Sequence, residues 1–388
     1  MTELNKNAPV YLAKCESYDV GALTDILRKS FEATGITSAE ISGKRVVIKP
    51  NLVLAKKPDF GATTHPATVE ACVAVLCELG ADSITLADSP GGPFNSANLS
   101  MVYRTCEMAP LASDNLKIND DFTWKNIQFP EAEKAKNFHM ITPVYEADVI
   151  VDLCKLKTHS LTTLSGAVKN LFGIIPGVEK FEMHSTYPKI DDFSAMLVDL
   201  AEYVTKNKSF IAVCDGILSM EGNGPTHGTP KNTGLMLVSR SPFALDVIAE
   251  RIIGANGEVL MLDNAAKRGL TERSYSEIEL LGETEIPVLD FKRPDSDAGK
   301  FLRSLPNFMG GKFAKFFETK PEILKNKCIG CGKCVSSCPR HTISVKEKRG
   351  KKIADINYSN CIRCYCCQEL CPIGAVGTRQ NFFIKLIH

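Results

Sequence analysis

A repeated cysteine spacing near the end of the chain limits what this sequence can fold into. Nine of its fifteen cysteines lie between Cys328 and Cys371. The pattern Cys-x2-Cys-x2-Cys-x3-Cys-Pro begins at Cys328 and is repeated from Cys361. Disulfide frameworks are typical of short secreted chains, whereas this sequence has 388 residues and starts without the basic-then-apolar pattern of a signal peptide. The spacing therefore predicts metal binding.

Each repeat supplies three cysteines from a tight loop and a fourth that precedes a proline. A 4Fe-4S cluster needs four thiolates, and in bacterial two-cluster arrangements the fourth cysteine ligates the other cluster. The sequence therefore predicts two 4Fe-4S clusters. The first quartet of ligands is Cys328, Cys331, Cys334 and Cys371, and the second quartet is Cys361, Cys364, Cys367 and Cys338. Two structural zinc sites are the alternative, although zinc sites rarely repeat this pattern.

Cys366 lies outside the repeat. We expect it to be a neighbour of a cluster, with a reactive thiol or an altered ligand set as alternatives. Residues 320–380 resemble the two-cluster bacterial ferredoxins, and the match covers every ligand position. The resemblance implies a small α+β domain that transfers electrons.

Several segments around the cysteines predict contacts of this ferredoxin-type domain. Residues 342–345 and 353–356 alternate like paired strands around a basic tip at 346–352. We expect a solvated hairpin end, with a dock for an acidic electron donor such as a ferredoxin or flavodoxin as the alternative. The apolar-aromatic runs 313–317 and 382–387 are predicted to hold the domain against the rest of the chain, or else to contact a membrane peripherally.

The first 300 residues alternate short apolar runs with amphipathic helices, which is the pattern of a doubly wound, mainly parallel α/β sheet. We therefore predict an α/β substrate-binding domain at 1–300, a linker at 301–320 and the ferredoxin-type domain at 321–388. The predicted strands are 45–48, 83–87, 149–153, 210–213 and 235–238.

Two helices of the α/β domain are predicted from the sequence. In the first, 66–79, the apolar spacing places Cys72 and Cys77 in the core. The second covers 160–173 and ends near Gly173.

Polar residues gather at the carboxyl ends of the predicted strands, where ligands bind in open α/β sheets. A glycine- and proline-rich loop at 221–230 adds further polar groups, but no nucleotide-binding fingerprint is present. The predicted catalytic residues are His65, Lys157, His159 and Asp215. The predicted substrate-binding residues are Lys49, Asn51, Asp88, Lys169, Asn170, Glu221 and Asn223.

The same segments resemble a known family. Lys49-Pro50-Asn51-Leu52, Thr64-His65-Pro66 and Asp88-Ser89-Pro90 match it, as do 155–159, 166–173, Asp215-Gly216 and 221–225. The sequence is similar to the family known as domain of unknown function 362, in the version fused to a ferredoxin. The resemblance covers roughly 45–255 and implies the domain and its pocket, but it implies no substrate.

Composition narrows the function classes. A net charge of +1 gives no global field that would attract nucleic acid, and no apolar run approaches the roughly 18 residues of a membrane span, so we expect a cytoplasmic protein. The leading hypothesis is an iron-sulfur oxidoreductase acting on a small anionic substrate, bound near the lysines of the pocket.

Two other function classes remain open from the sequence. One is a non-catalytic electron carrier or a protein that delivers a metal or cluster. The other is a metal-assisted, redox-neutral enzyme, in which Cys154 and Cys214 could help to hold a mononuclear metal; inert buried cysteines are the simpler interpretation.

Overall fold

Apolar runs rich in β-branched residues form the central strands of the structure, a computed structural model that describes residues 8–296, 319–348 and 350–379. The strands are β1 Val10–Lys14, β2 Arg45–Pro50, β3 Ser83–Leu86, β4 Lys117–Ile118, β5 Trp124–Gln128, β6 Asn137–Ile141, β7 Val149–His159, β8 Thr163–Ser165, β9 Ser209–Glu221, β10 Thr229–Ser239, β11 Leu280–Gly282, β12 Lys320–Ile323, β13 Ile343–Lys348, β14 Lys351–Ile356 and β15 Val376–Arg379.

The helices of the described residues are α1 Val20–Ala33, α2 Ser38–Ile41, α3 Pro66–Glu78, α4 Ser96–Thr105, α5 Thr142–Glu146, α6 Ala167–Asn170, α7 Glu179–Thr186, α8 Ile190–Asn207, α9 Pro242–Ile252, α10 Leu260–Lys267, α11 Lys333–Ser336 and α12 Cys366–Glu369. No helix in the described part of the chain is long and apolar enough to cross a membrane.

The large sheet is mixed and mostly parallel, with the strand order β11-β1-β10-β9-β7-β2-β3-β4 and with β8 paired to the end of β7. The central strands β3, β2, β7 and β9 run parallel, and β10 is antiparallel to both β9 and β1. Helices cover both faces, giving one apolar core beneath α8 and α9 and another beneath α1 and α3. Strands buried on both faces read as continuous apolar runs. The predicted doubly wound α/β fold is confirmed.

Strand β7 is longer than predicted, and the helix predicted over 160–173 is wrong in its first half. β7 continues to His159, turns, and pairs back with β8. Thr163 has a φ of 69° at the start of β8, which a helix does not permit. The helical part begins only at α6, where the Asp246 carboxylate accepts hydrogen bonds from the amides of Ala167 and Val168 at 2.7 and 2.9 Å.

Helix α3 follows the predicted range, but one of its two cysteines was placed wrongly. Cys72 is fully buried, as expected, whereas Cys77 is exposed. The buried stripe of α3 is centred on Thr68, Cys72 and Val75, so Cys77 lies on the edge of the helix that faces solvent.

The ferredoxin-type domain is built from two short antiparallel pairs, β12 with β15 and β13 with β14. The hairpin of β13 and β14 confirms the strand pair predicted at 342–345 and 353–356. Five cysteines of the repeat belong to its own small apolar core, and Cys361 packs against it. The predicted docking runs 313–317 and 382–387, and residues 301–318 of the predicted linker at 301–320, lie outside the described residues.

Candidate functional site

A cavity of about 80 Å³ lies where the large sheet meets helix α12 of the ferredoxin-type domain. The ends of β2 and β7, helices α6 and α7, and α12 all supply walls. The lining includes Asn51, Asp88, Ser89, Lys157, His159, Lys169, Asn170, Phe172, Lys180, His184, Cys366, Glu369 and Leu370. Six of the predicted site residues are therefore brought together here. We term this space the interface cavity.

Lys157 reaches the interface cavity from the far end of β7. It is fully buried, and its Nζ donates to Asn51 Oδ1 at 2.9 Å and to the carbonyl oxygen of Ala62. Both acceptors are neutral. Burial, reinforced by the positive charges of Lys155 and Lys169, lowers the pKa of the Lys157 amine to about 7.

A buried ion pair lies next to the interface cavity. Lys49 Nζ lies 2.9 Å from Asp88 Oδ1, and Asp88 Oδ2 accepts from the Leu52 amide at 3.0 Å. Gly173 covers this pair so closely that a Cβ there would lie 2.3 Å from Asp88 Oδ1 and 2.7 Å from Lys49 Nζ. A side chain at 173 would therefore displace the pair.

Asp152 and Asn170 brace the ion pair from the sheet. Asp152 is opposite Lys49 in the parallel register, and its Oδ1 accepts from Asn170 Nδ2 at 2.6 Å. Burial raises the pKa of Asp152 to about 8, although Lys49 opposes the shift. Asn170 is thereby fixed at the cavity wall.

Helix α7 contributes two groups that sequence reasoning missed, Lys180 and His184. Lys180 Nζ donates to the carbonyl oxygens of Ser89 and Ile175, both at 2.8 Å, and burial lowers its pKa to about 7. His184 stacks on Phe193 with ring centroids 4.2 Å apart, and burial lowers its pKa to about 3. Acidic and basic residues alternate with apolar ones in α7, so the sequence does not show which side of this helix is buried. That side depends on the loop after Gly173.

His159 and Glu369 meet across the boundary between the two domains. His159 Nδ1 accepts from the amides of Leu161 and Thr162 at 3.0 and 3.4 Å, so the neutral ring carries its proton on Nε2. That atom lies 3.3 Å from Glu369 Oε1. Burial raises the pKa of Glu369, and the charges of Lys169 and Lys157 partly offset this.

Lys169 lines the interface cavity together with Glu369 and Cys366 of the ferredoxin-type domain. Its Nζ lies over the Phe172 ring, 4.6 Å from the centroid. Burial lowers its pKa, while Glu369 and Cys366 act in the opposite direction. Three lysines, at 157, 169 and 180, thus line a cavity whose lining carboxylates are Asp88 and Glu369, and Asp88 is already paired. The arrangement favours an anionic ligand.

Helix α12 connects the interface cavity to the cysteine quartets. Cys366 is its first residue, lines the cavity and is buried. A hydrogen bond joins the Cys366 and Cys364 side chains, and it raises the Cys366 pKa. Thr226 Oγ1 donates to the carbonyl oxygen of Glu369 at 2.9 Å, which ties the helix to the loop after β9. Cys366, which lies between Cys364 and Cys367 of the second quartet in the sequence, therefore also lines the interface cavity.

Each predicted quartet surrounds a separate small cavity. One is lined by Cys328, Cys331, Cys334 and Cys371, the other by Cys338, Cys361, Cys364 and Cys367. Backbone amides point at the sulfurs: those of Ala354, Thr342 and Ala375 lie 3.4, 3.3 and 3.1 Å from Cys328, Cys338 and Cys371 Sγ. Four thiol donors and amide-to-sulfur hydrogen bonds fit an iron-sulfur cluster.

The structure places five predicted site residues outside the lining of the interface cavity: Lys49, which lies behind its wall, and His65, Asp215, Glu221 and Asn223. Asp215 pairs with Lys155 Nζ at 2.7 Å and accepts from Tyr18 OH at 2.9 Å. His65 stacks on Tyr18, with centroids 3.6 Å apart, and its amide donates to Asp215. We term Asp215, Lys155, Tyr18 and His65 the Asp215 cluster.

Glu221 and Asn223, at the end of β9, are the other two. Glu221 pairs with Lys231 at 3.1 Å, and the Asn223 side chain donates to Asp295 Oδ2 at 2.8 Å. Both fix the loop between β9 and β10, whose residue Pro225 does line the interface cavity. The loop therefore contributes its shape.

Cys154 and Cys214 are buried and face each other in the register of β7 and β9. Burial and the neighbouring thiol raise the Cys154 pKa well above its ordinary value. Apart from the two cysteine quartets, no group of three or more His, Cys, Asp or Glu residues in the described ranges is placed to hold a metal ion.

Comparison with known families identifies both domains. Residues 46–251, more than half of the chain, match the model of the domain of unknown function DUF362. The chain belongs to this family. Residues 327–375 match the model of a 4Fe-4S dicluster domain. The protein thus combines a DUF362 domain with an iron-sulfur domain of the electron-transfer type, as the sequence resemblance implied.

Individual relatives differ in how much of the chain they cover. Thylakoid-associated protein sll1697 of Synechocystis is 31% identical over 247 residues, which are 63% of this chain and 74% of that protein. Uncharacterized ferredoxin MJ0722 of Methanocaldococcus jannaschii is 41% identical over 54 residues, 13% of this chain and 68% of the relative. The solved lactate racemase apoprotein of Thermoanaerobacterium thermosaccharolyticum aligns with a TM-score of 0.40 and 12% identity over 67% of this chain and 59% of its own length.

Proposed function

We propose that the protein is an iron-sulfur oxidoreductase that reduces a small anionic substrate in the interface cavity. The observation that carries the proposal is the position of α12, which forms one wall of a lysine-rich cavity and adjoins cysteines of both quartets. The proposed cofactors are two 4Fe-4S clusters, held by the first and second quartets. When bound, each would exchange one electron, so that the two together support a two-electron reduction.

The charges of the cavity support an anionic substrate. Lys157, Lys169 and Lys180 surround the space, and ammonium groups in a site shielded from water bind carboxylate or phosphate oxygens strongly. Asn51 and Asn170 add neutral polar groups that orient the ligand. We assign these five residues to substrate binding, with Lys49 and Asp88 holding the wall behind them.

A two-electron reduction of a carbonyl or alkene also needs protons. Lys157 is suited to supply one, because its pKa of about 7 lets it donate near neutral pH and recover a proton afterwards. His159, with its Nε2 proton directed to the cavity wall, is the second candidate. His65 and Asp215 have no part in this proposal.

The proposal can be tested by following cluster oxidation. Protein purified without oxygen would be reduced with dithionite, freed of excess reductant and mixed with small carboxylates and phosphate esters, while cluster absorbance and EPR are recorded. One compound class should reoxidise the clusters. Lys157→Ala should slow this step about 100-fold or more with cluster content unchanged, whereas Lys29→Ala, at an exposed position, should behave like the wild type.

Two results would contradict the oxidoreductase. If Lys157→Ala is reoxidised at the wild-type rate, the chemistry does not take place in the interface cavity. If a compound binds in the cavity but is never changed, the protein is a carrier of electrons rather than an enzyme. We propose a cytoplasmic location, and the thylakoid association in the name of the Synechocystis relative makes cell fractionation a direct check.

A further inference from the structure

The two quartet cavities differ in how they meet solvent. Of the described residues that line the first, five are exposed: Ile329, Cys331, Lys333, Pro372 and Ile373. Of those that line the second, only Arg340 is exposed, and its guanidinium reaches Ser185 on α7 at 3.5 Å. The lining of the first cavity is therefore more exposed to solvent than that of the second, which contacts helix α7 through Arg340.

The rim of the first cavity has an apolar centre. Ile329 is 62% exposed and Ile373 is 43% exposed, on either side of a cavity that also contains the exposed Cys331. Single exposed apolar residues are ordinary on protein surfaces. Two of them beside a cysteine quartet place an apolar contact patch directly over the proposed redox group.

Basic residues surround this centre. Lys325, Lys327, Lys333, Lys351 and Lys352 are all exposed. The hairpin of β13 and β14 brings its lysines to the quartet loop, since Lys351 Nζ reaches the carbonyl oxygen of Lys325 at 3.5 Å. Gly330, with a φ of 67°, packs so closely that a Cβ there would lie 2.6 Å from Lys352 Cβ.

We propose that this surface, termed the first-quartet face, docks an acidic one-electron carrier protein and is where electrons enter. In this step the carrier loses one electron, the protein gains one, and no proton is transferred. The direction of electron entry rests on the proposed function, in which electrons leave the protein in the interface cavity, beside the second quartet and Cys366. The five exposed lysines give this face a local positive charge, although the net charge of the whole chain is only +1.

Charge complementarity favours a protein carrier over a membrane. A basic rim around a small apolar centre steers an acidic partner into brief, productive encounters. Within the hairpin, Glu347 lies opposite Lys352 in the register. This single carboxylate reduces the positive potential of the five exposed lysines only locally. Two isoleucines offer little apolar area for insertion into a lipid surface.

The test uses the full chain with its clusters and a purified acidic 2Fe-2S ferredoxin as the probe. Stopped-flow absorbance would measure cluster reduction by the reduced ferredoxin as a function of ionic strength, and calorimetry would measure binding of the oxidised ferredoxin. Lys333→Glu combined with Lys352→Glu should slow reduction at least tenfold at low salt and weaken binding at least tenfold. Lys29→Glu combined with Lys125→Glu, at exposed positions outside the first-quartet face, is the matched control and should change neither.

The outcomes separate this proposal from the function of the cavity, because no substrate is present in the experiment. Reduction by dithionite should be equally complete in all variants, and Lys333→Gln with Lys352→Gln should give an intermediate effect if charge is the cause. Wild-type reduction rates in the Glu variant would overturn the proposal. The proposal would also be overturned if the Glu variant bound ferredoxin like the wild type but no longer bound phosphatidylserine vesicles. That result would assign the face to a membrane.

Discussion

Lys155 and Lys157 lie two positions apart on β7, and both are fully buried, yet they occupy opposite environments. Lys155 is enclosed by the Asp215 cluster, where its Nζ meets a carboxylate oxygen at 2.7 Å and Tyr18 OH at 3.0 Å. Lys157 meets an amide oxygen and a carbonyl oxygen beside the interface cavity. A buried charge that is paired with a carboxylate is used within the protein, whereas one whose direct partners are neutral and that borders a cavity is available to a ligand.

The largest expected effect is a loss of stability when the ion pair between Lys155 and Asp215 is broken. Asp215→Ala leaves Lys155 buried without its partner and should lower the free energy of unfolding by about 3–5 kcal/mol. Urea denaturation followed by circular dichroism would measure the loss.

Two further variants test whether the unpaired charge of Lys155 causes the loss of stability. Lys155→Met combined with Asp215→Leu should lose less than Asp215→Ala alone, because no charge is left unpaired. Asp114→Ala, at an exposed position, should shift stability by less than about 0.5 kcal/mol. A loss in Asp215→Ala no larger than in this control would show that the Asp215 cluster is not a structural ion pair.

A smaller effect is expected at the second buried ion pair, next to the cavity. Gly173→Ala forces a methyl group against Lys49 and Asp88 and should cost about 1–3 kcal/mol. It should also weaken binding of sulfate, used as an anionic probe, since Lys49 and Asp88 hold the cavity wall. Calorimetric titration and urea denaturation would measure the two effects.

Gly21→Ala is the matched control, because Gly21 lies in α1 with its nearest new contact at 3.4 Å, and alanine there should be neutral or slightly stabilising. Equal losses in the two variants would mean that backbone effects, and not contact with the ion pair, explain Gly173→Ala.

The smallest expected effect is a dependence on pH. Burial lowers the pKa of Lys157 to about 7, while an unfolded lysine titrates near 10.4. The unfolded chain therefore binds more protons between these values, so this amine makes the protein more stable as pH rises from about 7 to about 10. Sulfate binding should change in the opposite direction and weaken by up to about tenfold per pH unit above 7 as the amine loses its charge.

Lys157→Met isolates this effect from Asp152, whose pKa of about 8 shifts stability with pH in the other direction. Unfolding free energies at pH 7 and pH 9 should differ less in the variant than in the wild type. An unchanged pH profile in Lys157→Met would assign the titration to other groups, Lys180 first among them.

The sequence alone determined what depends on local spacing and polarity. The cysteine repeat predicted the 4Fe-4S domain, and apolar runs predicted the central strands because parallel strands are buried on both faces. The order of the strands brought Asn51, Asp88 and Lys157 to one edge, as the carboxyl ends of β2, β3 and β7 required.

Tertiary structure decided what depends on distant partners. The sequence shows Lys155 and Lys157 in one motif. Only the tertiary structure pairs Lys155 with Asp215 and places Lys157 at the interface cavity. Lys180, His184 and Glu369 could not be found from spacing, because α7 and α12 reach the site by packing across long stretches of chain. The lining of the first quartet's cavity is more exposed than that of the second, since exposure is a property of the assembled surface rather than of the repeat.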